Sequence, residues 1–283
     1  MALRLDGKII AQQLSKSLQN KVKELKTKNI FPTLCVIEVG EDPASTIYLR
    51  AKRNLAKKIG INEITIKFPS NVTEAELLQK IAELNRDPKI NAIMVQLPLP
   101  QQINPLTIVK AIDPAKDADG FHPYNQGLAW QGASDILPAT VRGILEILDY
   151  YKINVTGKNV LVIGRSLIVG KPIASQLLNR DATVTIAHSK TVNLQQLTQQ
   201  ADLIISDVGK AHLITSEMIK KGAILVDVGM NREQGKLMGD IEYEECFAKA
   251  KAITPVPGGV GPLTVASLMK QVIILTEYQV NGR

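Results

Sequence analysis

At 283 residues the chain is long for one hydrophobic core and sized for two, and its 45% hydrophobic content excludes a disordered chain. A net charge of +7 suits a solvated surface or attraction of phosphorylated small molecules; 4% aromatic residues and no basic run argue against nucleic acid. No apolar run reaches the ~18 residues of a membrane span, MALRLDGK lacks a signal-peptide core, and Cys35 and Cys246 make no disulfide framework, which predicts a cytoplasmic protein.

Along the chain, strand-like and helix-like segments alternate, the pattern of α/β layers with mainly parallel strands. GKIIAQQLSKSLQNKVKELKTKN has helical spacing, and TLCVIEVG is a short buried strand ending in glycine. ASTIYLRAKRNLAKKIG is a helix, NEITIKF a strand, TEAELLQKIAELNRD a helix and NAIMVQLPLP a strand stopped by prolines. From IDPAKDADGFHPYN to GASDILPAT the residues favour turns and lack periodicity, so loops are expected before a bridging helix, VRGILEILDYYK. A second α/β block runs through GKNVLVIG, ATVTIAHS, ADLIISDVG and AILVDVG. The apolar helix GPLTVASLMKQVIILTEYQV then follows a loop rich in proline and glycine, and is placed to return to the first domain. The expected division is 1–137, completed by about 261–283, and 138–260.

VLVIGRSLIVGKP carries a strand into a glycine turn and then a helix start, the setting in which backbone N–H groups meet phosphate. It lacks the standard G-x-G-x-x-G, and glycine-ended strands also arise for purely structural reasons. An NAD site usually has an acid about 20 residues after the turn, bonded to the ribose 2′-hydroxyl. Here that region offers Ser189 and Lys190, and Arg165 stands inside the turn. A missing acid with local Arg, Ser and Lys suits a 2′-phosphate, so NADP is the expected dinucleotide.

STIYLRAK sets Tyr48 and Lys52 four residues apart on one helix face. With Ile47, Ala51, Leu55 and Ile59 as the apolar centre, Tyr48 falls about 40° and Lys52 about 80° from it. Spacing alone favours a lysine whose stem lies on the core and whose amine reaches water. Gln96 after its apolar strand, and Asp117 or Asp119 in KDADGFHPYN, have equally plain readings as backbone partners in turns. His122, His188 and His212 are scattered, so no metal site is expected, and no G-x-S-x-G elbow anchors a serine nucleophile.

VGEDPASTIYLRAKRNLAKKIGI, VQLPLP, DPAKDADGFHPYN, VIGRSLIVGKP, AHSKT and ITPVPGGVGPLTVA occur in this order and together resemble the bifunctional methylenetetrahydrofolate dehydrogenase/cyclohydrolase family. The resemblance spans nearly the whole chain. It implies two α/β domains flanking a cleft, the second a Rossmann-like NADP-binding parallel sheet, in a cytosolic homodimer. The implied chemistry is oxidation of 5,10-methylenetetrahydrofolate to the 5,10-methenyl form and hydrolysis to 10-formyltetrahydrofolate, supplying one-carbon units for purine and amino-acid synthesis. It further implies that Lys52 is the general acid/base, that Tyr48 packs on the folate ring, that Gln96 bonds to Lys52, and that Asp119 binds the pterin. The resemblance likewise implies that Pro257, Gly258, Gly259, Val260 and Pro262 belong to a loop lining the folate site, and that Gly164, Arg165, Ser166, Ser189 and Met230 contact the cofactor.

Departures from the family pattern are Ala139 and Val141 in PATV, Met230 for an isoleucine, and Asp207 where a small uncharged residue is usual. Asp207 is expected either to cap a nearby backbone N–H or to face the cofactor and repel its diphosphate. Two alternatives stand beside the family reading. One is another two-domain NADP oxidoreductase, such as a shikimate-dehydrogenase-like enzyme; the other is a non-catalytic folate- or NADP-binding protein.

Overall fold

A computed structural model describes residues 2–40, 43–233 and 235–282, the side chains of 43–47 excepted, so the expected position of Ile47 lies outside the described residues. The chain begins with β1 (Leu3–Arg4) and α1 (Gly7–Thr27). It then alternates through β2 (Thr33–Val39), α2 (Pro43–Ile59), β3 (Asn62–Phe68), α3 (Glu74–Arg86), β4 (Ala92–Val95) and α4 (Pro105–Ala111). Two helices, α5 (Pro123–Trp130) and α6 (Ala139–Tyr150), precede β5 (Asn159–Ile163), α7 (Gly170–Leu178), β6 (Thr183–Ala187), α8 (Leu194–Gln200), β7 (Leu203–Ser206) and β8 (Ile224–Asp227). A hairpin of β9 (Asn231–Glu233) and β10 (Lys236–Met238), then α9 (Tyr243–Lys249), β11 (Ala252–Ile253) and α10 (Val260–Val280), complete the described chain.

Contacts divide the chain into two compact units, Met1–Gln12 with Leu128–Thr264, and Gln13–Gly127 with Val265–Arg283. These compact units differ from the expected division in two places: the break falls at 127–128, and residues 1–12 group with 128–264. The reason is local: β1 pairs in parallel with β11, and Leu5 and Ile10 join the core formed with Ile144, Val162 and Ile173. No alternation in so short a strand announces it.

The unit containing Gln13–Gly127 is built on a parallel sheet in the order β3-β2-β4. Side chains alternate across a strand. Ile93 and Val95 accordingly enter a core with Cys35, Ile37, Leu77, Ile81 and Ile108, which leaves Met94 and Gln96 for the opposite face. Thr73 and Glu76 start α3 with a capping box, each side chain bonding to the other's backbone N–H. The turn-rich stretch expected as loops contains a 3-10 turn at Pro114–Lys116 and a helix, α5, whose four-residue PYNQ start carries no apolar periodicity.

α10 corrects another expectation: by length and composition it is apolar enough to cross a membrane. Within the protein most of that span is buried, including Leu268, Met269, Val272 and Leu275, and Gln271 donates to the carbonyl of Ala118 at 3.0 Å. It is packed as a core helix.

The other unit carries a parallel sheet in the order β1-β11-β8-β7-β5-β6. From β5 the chain crosses to β6 on one side and then returns to β7 on the other. That reversal opens a crevice beyond the carboxyl ends of β5 and β7, where open α/β sheets hold ligands.

Candidate active site

Lys52 sits in α2 on the same face as Ala56 and Ile59, both buried, while Ala51 is exposed. The apolar spacing set Ala51 at the centre of the buried face and Lys52 at its edge; the helix is in fact turned so that Lys52 lies in the inward line. Packing explains the turn, because this helix meets the sheet face that carries Met94 and Gln96. Lys52 Nζ donates to Gln96 Oε1 at 3.2 Å and approaches Met94 Sδ at 3.2 Å. Burial lowers the pKa of Lys52, and the charge of Asp119 pulls it back up. Tyr48, one turn earlier and partly buried, has its pKa raised by desolvation.

Asp119 comes from the loop that runs beside β4. Residues 93 and 117 form a parallel bridge, and the N–H of Ala118 donates to the Ile93 carbonyl at 3.1 Å. Asp117 fixes the turn beyond, accepting from the N–H of Gly120 at 3.0 Å, the N–H of His122 at 2.8 Å and Asn125 Nδ2 at 3.0 Å. The plain reading of Asp117 as a turn residue thus describes its contacts. Loss of water pushes the Asp119 carboxyl up to about 7, against the opposing pull of Lys52. A primary amine with a depressed pKa and a carboxyl with a raised one therefore share one site, the combination suited to proton transfer near neutrality. Met94 was not legible as a site residue, although strand alternation sets it on the face of Gln96.

In the other unit, Gly164 ends β5 with φ of +125°, and a Cβ there would collide with the Asp207 carbonyl. Gly170 opens α7 so close to this turn that an added Cβ would lie 2.7 Å from the Gly164 carbonyl carbon and 2.9 Å from Arg165 Cα. The two glycines of G-x-x-x-x-x-G thus permit one close packing, of turn on helix start. Ser166 accepts the N–H groups of Val169 and Gly170, each at 3.0 Å, and donates its own proton to Asp207 Oδ2 at 2.9 Å. Asp207 lies at the end of β7 as expected; among the described residues it caps no backbone N–H itself but reaches the helix N–H groups through Ser166.

Arg165 is exposed in the same turn. Ser189 and Lys190 are exposed after β6, in a turn held by His188: its N–H bonds to Thr191 Oγ1 at 2.8 Å, and its Nδ1 accepts the Lys190 N–H at 3.2 Å. Among the described residues these three side chains take no hydrogen-bond partner, which leaves their donors available to a phosphate. Met230 is half exposed after β8. Its neighbours are fastened by Asp240, which sequence reasoning missed: it accepts from Ser206, Val208 N–H, Lys210 N–H and Asn231 Nδ2 at 2.8 to 3.1 Å. Pro257, Gly258, Gly259, Val260 and Pro262 fall at the start of α10 and the loop before it, where Gly258 accepts the Gly7 N–H at 2.9 Å.

The catalytic-domain model of tetrahydrofolate dehydrogenase/cyclohydrolase matches residues 5–119, and its NAD(P)-binding-domain model matches residues 138–280. Bifunctional protein FolD 2 of Lactobacillus johnsonii is 64% identical over 279 residues, 99% of each chain. The crystal structure of the bifunctional FolD dehydrogenase/cyclohydrolase of Campylobacter jejuni is 42% identical, with a TM-score of 0.97 over 98% of this chain and 99% of that one. The Trypanosoma brucei dehydrogenase-cyclohydrolase, complexed with NADP and an inhibitor, is 34% identical with a TM-score of 0.94, covering 99% and 98% of the two chains. Shikimate dehydrogenase of Aquifex aeolicus, at 14% identity and a TM-score of 0.53 over 88% of this chain and 97% of its own, shares the fold alone. The chain belongs to the bifunctional tetrahydrofolate dehydrogenase/cyclohydrolase family and is both an oxidoreductase and a hydrolase of one-carbon folates.

Proposed function

We propose that Lys52 carries the proton in hydrolysis of 5,10-methenyltetrahydrofolate to the 10-formyl product, following NADP-dependent oxidation of the 5,10-methylene substrate. The observation that carries this reading is the partly buried Lys52 amine, bonded to a neutral amide and depressed in pKa. The methenyl carbon lies between two nitrogens and is cationic, so water attacks it once a base removes a proton. Lys52 takes that proton and returns it to the departing folate nitrogen; the second water proton leaves to solvent as the formyl carbonyl forms. Gln96 orients the amine without adding the negative charge that would hold it protonated. Tyr48 supplies a ring face for the folate, and Asp119 a carboxyl for the pterin.

The oxidation needs less proton chemistry, because the substrate nitrogen stabilises the cation that forms. Bound NADP supplies the hydride acceptor. Arg165 and Ser189 hold its 2′-phosphate, the charge-assisted contact for which their exposed donors are suited. Gly164, Ser166 and Met230 border the dinucleotide, while Pro257, Gly258, Gly259, Val260 and Pro262 shape the folate side. Support for NADP comes from the absent acid after β6 and from the NADP complex of the Trypanosoma relative.

The protein acts in the cytoplasm as a homodimer in this reading. Cys35 and Cys246 are free and buried, and the outer strand β6 and neighbouring α7 expose Ile186 and Leu178. Light scattering after size exclusion tests the dimer. The chemical assignment is tested by assaying both reactions in Lys52→Met: hydrolysis is expected to be lost while NADP binding stays near that of the parent. Comparable hydrolysis rates in the two proteins would remove Lys52 from the mechanism.

A further inference from the structure

We propose that Met94 is a positioning residue for the hydrolysis, its thioether sulfur and the Gln96 amide together fixing the direction in which Lys52 Nζ exchanges its proton. The inference rests on the assignment of Lys52 as proton carrier. Met94 and Gln96 are two residues apart at the end of β4, so the pleat turns both to one face. Lys52 reaches that face from α2, and its Nζ lies 3.2 Å from each of Sδ and Oε1. Met94 is 1% exposed, so the contact is shielded from competing water.

A neutral primary amine has two N–H groups and one lone pair. With sulfur and amide oxygen taking the two N–H groups, the lone pair has one remaining tetrahedral direction. Protonation puts the third N–H in that same direction. The two acceptors therefore hold Nζ through both halves of a proton cycle, and among the described residues no third hydrogen-bond partner competes for it. Sulfur suits the task because a thioether is an uncharged, polarizable and weak acceptor. It aims an N–H without adding a carboxylate's preference for the ammonium form. Met94 is a buried core side chain on the sheet face opposite Ile93 and Val95, so the test must separate its sulfur from its bulk.

The test is steady-state kinetics of both reactions in Met94→Leu, a nearly volume-conserving change that a core tolerates well, with Met94→Gln as the variant that restores an acceptor. In Met94→Leu the hydrolysis kcat is expected to fall roughly three- to tenfold, the loss of one weak hydrogen bond to a reacting group. Its KM for the methenyl substrate should stay within about twofold, and Met94→Gln should recover part of the lost kcat. Hydrolysis at parental kcat in Met94→Leu, or a Gln variant no faster than the Leu variant, overturns the inference. So does an equal fall of kcat/KM in both reactions, the mark of a merely structural residue. Lys52→Met separates the levels. Retained hydrolysis there overturns the assignment of Lys52 itself, whereas its loss beside an unimpaired Met94→Leu overturns only the role of Met94.

Discussion

Asp207 and Ser166 meet at 2.9 Å, carboxylate oxygen to hydroxyl, at the carboxyl ends of the adjacent parallel strands β7 and β5. The hydroxyl cannot turn toward another acceptor without giving up Asp207, so its lone pairs stay on the first N–H groups of α7. A negative charge is thereby fixed beside a helix start that would otherwise favour anions.

Two contributions of Asp207 are separable by substitution. Asp207→Asn keeps an acceptor for Ser166 and removes the charge, whereas Asp207→Ala removes both. Asp207→Asn is expected to bind NADP roughly three- to tenfold more tightly at low ionic strength, the gain shrinking in salt as the Debye length falls to ~8 Å. Asp207→Ala should gain less, because Ser166 loses its anchor. Titration of the three proteins with NADP at low and high salt checks the order, and weaker binding by the Asn variant would mean that the carboxylate assists the cofactor.

The preference for NADP over NAD should reside in Arg165 and Ser189. Charge-assisted hydrogen bonds contribute about 1.5–3 kcal/mol each, so replacing both by alanine should weaken NADP by at least ~100-fold and NAD little. Equal weakening of the two cofactors would move the 2′-phosphate elsewhere. Fluorescence titration with each dinucleotide reads the difference.

Asp119 sets a pH dependence whose sign is fixed. Its carboxyl is pushed from 3.8 up to about 7 by loss of water. A folded-state pKa above the unfolded one means that the native protein holds the extra proton between those values. The stability this group contributes is full below about pH 4 and is lost as pH rises through 7. Asp119→Asn should therefore flatten the fall in urea midpoint across that interval. The same change removes the charge that raises the Lys52 pKa, so the limb of the hydrolysis profile belonging to Lys52 should move to lower pH.

Glycines at two sites should respond oppositely to alanine. Gly170→Ala inserts a methyl against the Gly164–Arg165 backbone and is expected to cost about 2–3 kcal/mol and to weaken NADP binding. Gly127 lies exposed inside α5 with nothing within 4 Å of an added Cβ. Gly127→Ala should raise stability by about 0.5–1 kcal/mol. Urea unfolding of both variants tests the contrast.

Legibility followed the length and regularity of each pattern. The parallel strands within GKNVLVIG, ATVTIAHS and ADLIISDVG were readable because each is a short β-prone segment that ends in turn residues. Asp207 was correctly set at a strand end, yet its bond to Ser166 joins residues 41 apart in sequence and has no local mark. Lys52 was readable as a site residue through its resemblance; its true depth was not, since one turned helix exchanged Ala51 for Lys52 on the inward face. Asp240 stayed hidden because its donors, the end of β7 with the loop after it and the start of β9, lie 9 to 34 residues away in sequence.

The pairing of Leu3 with Ala252 has a consequence for biosynthesis. A ribosome delivers this strand of the six-stranded sheet about 250 residues before the neighbour it pairs with. Leu5 and Ile10, which belong to the same core, wait for partners such as Ala252 until that distant segment has been made. The loop to be closed spans nearly the whole chain, and its entropy cost grows with the logarithm of its length. Strands β5 to β8 and their crossover helices can associate earlier, over much shorter separations. The outer edge of the sheet is thus a late assembly step, and no contiguous fragment beginning at residue 128 contains everything that its own core requires.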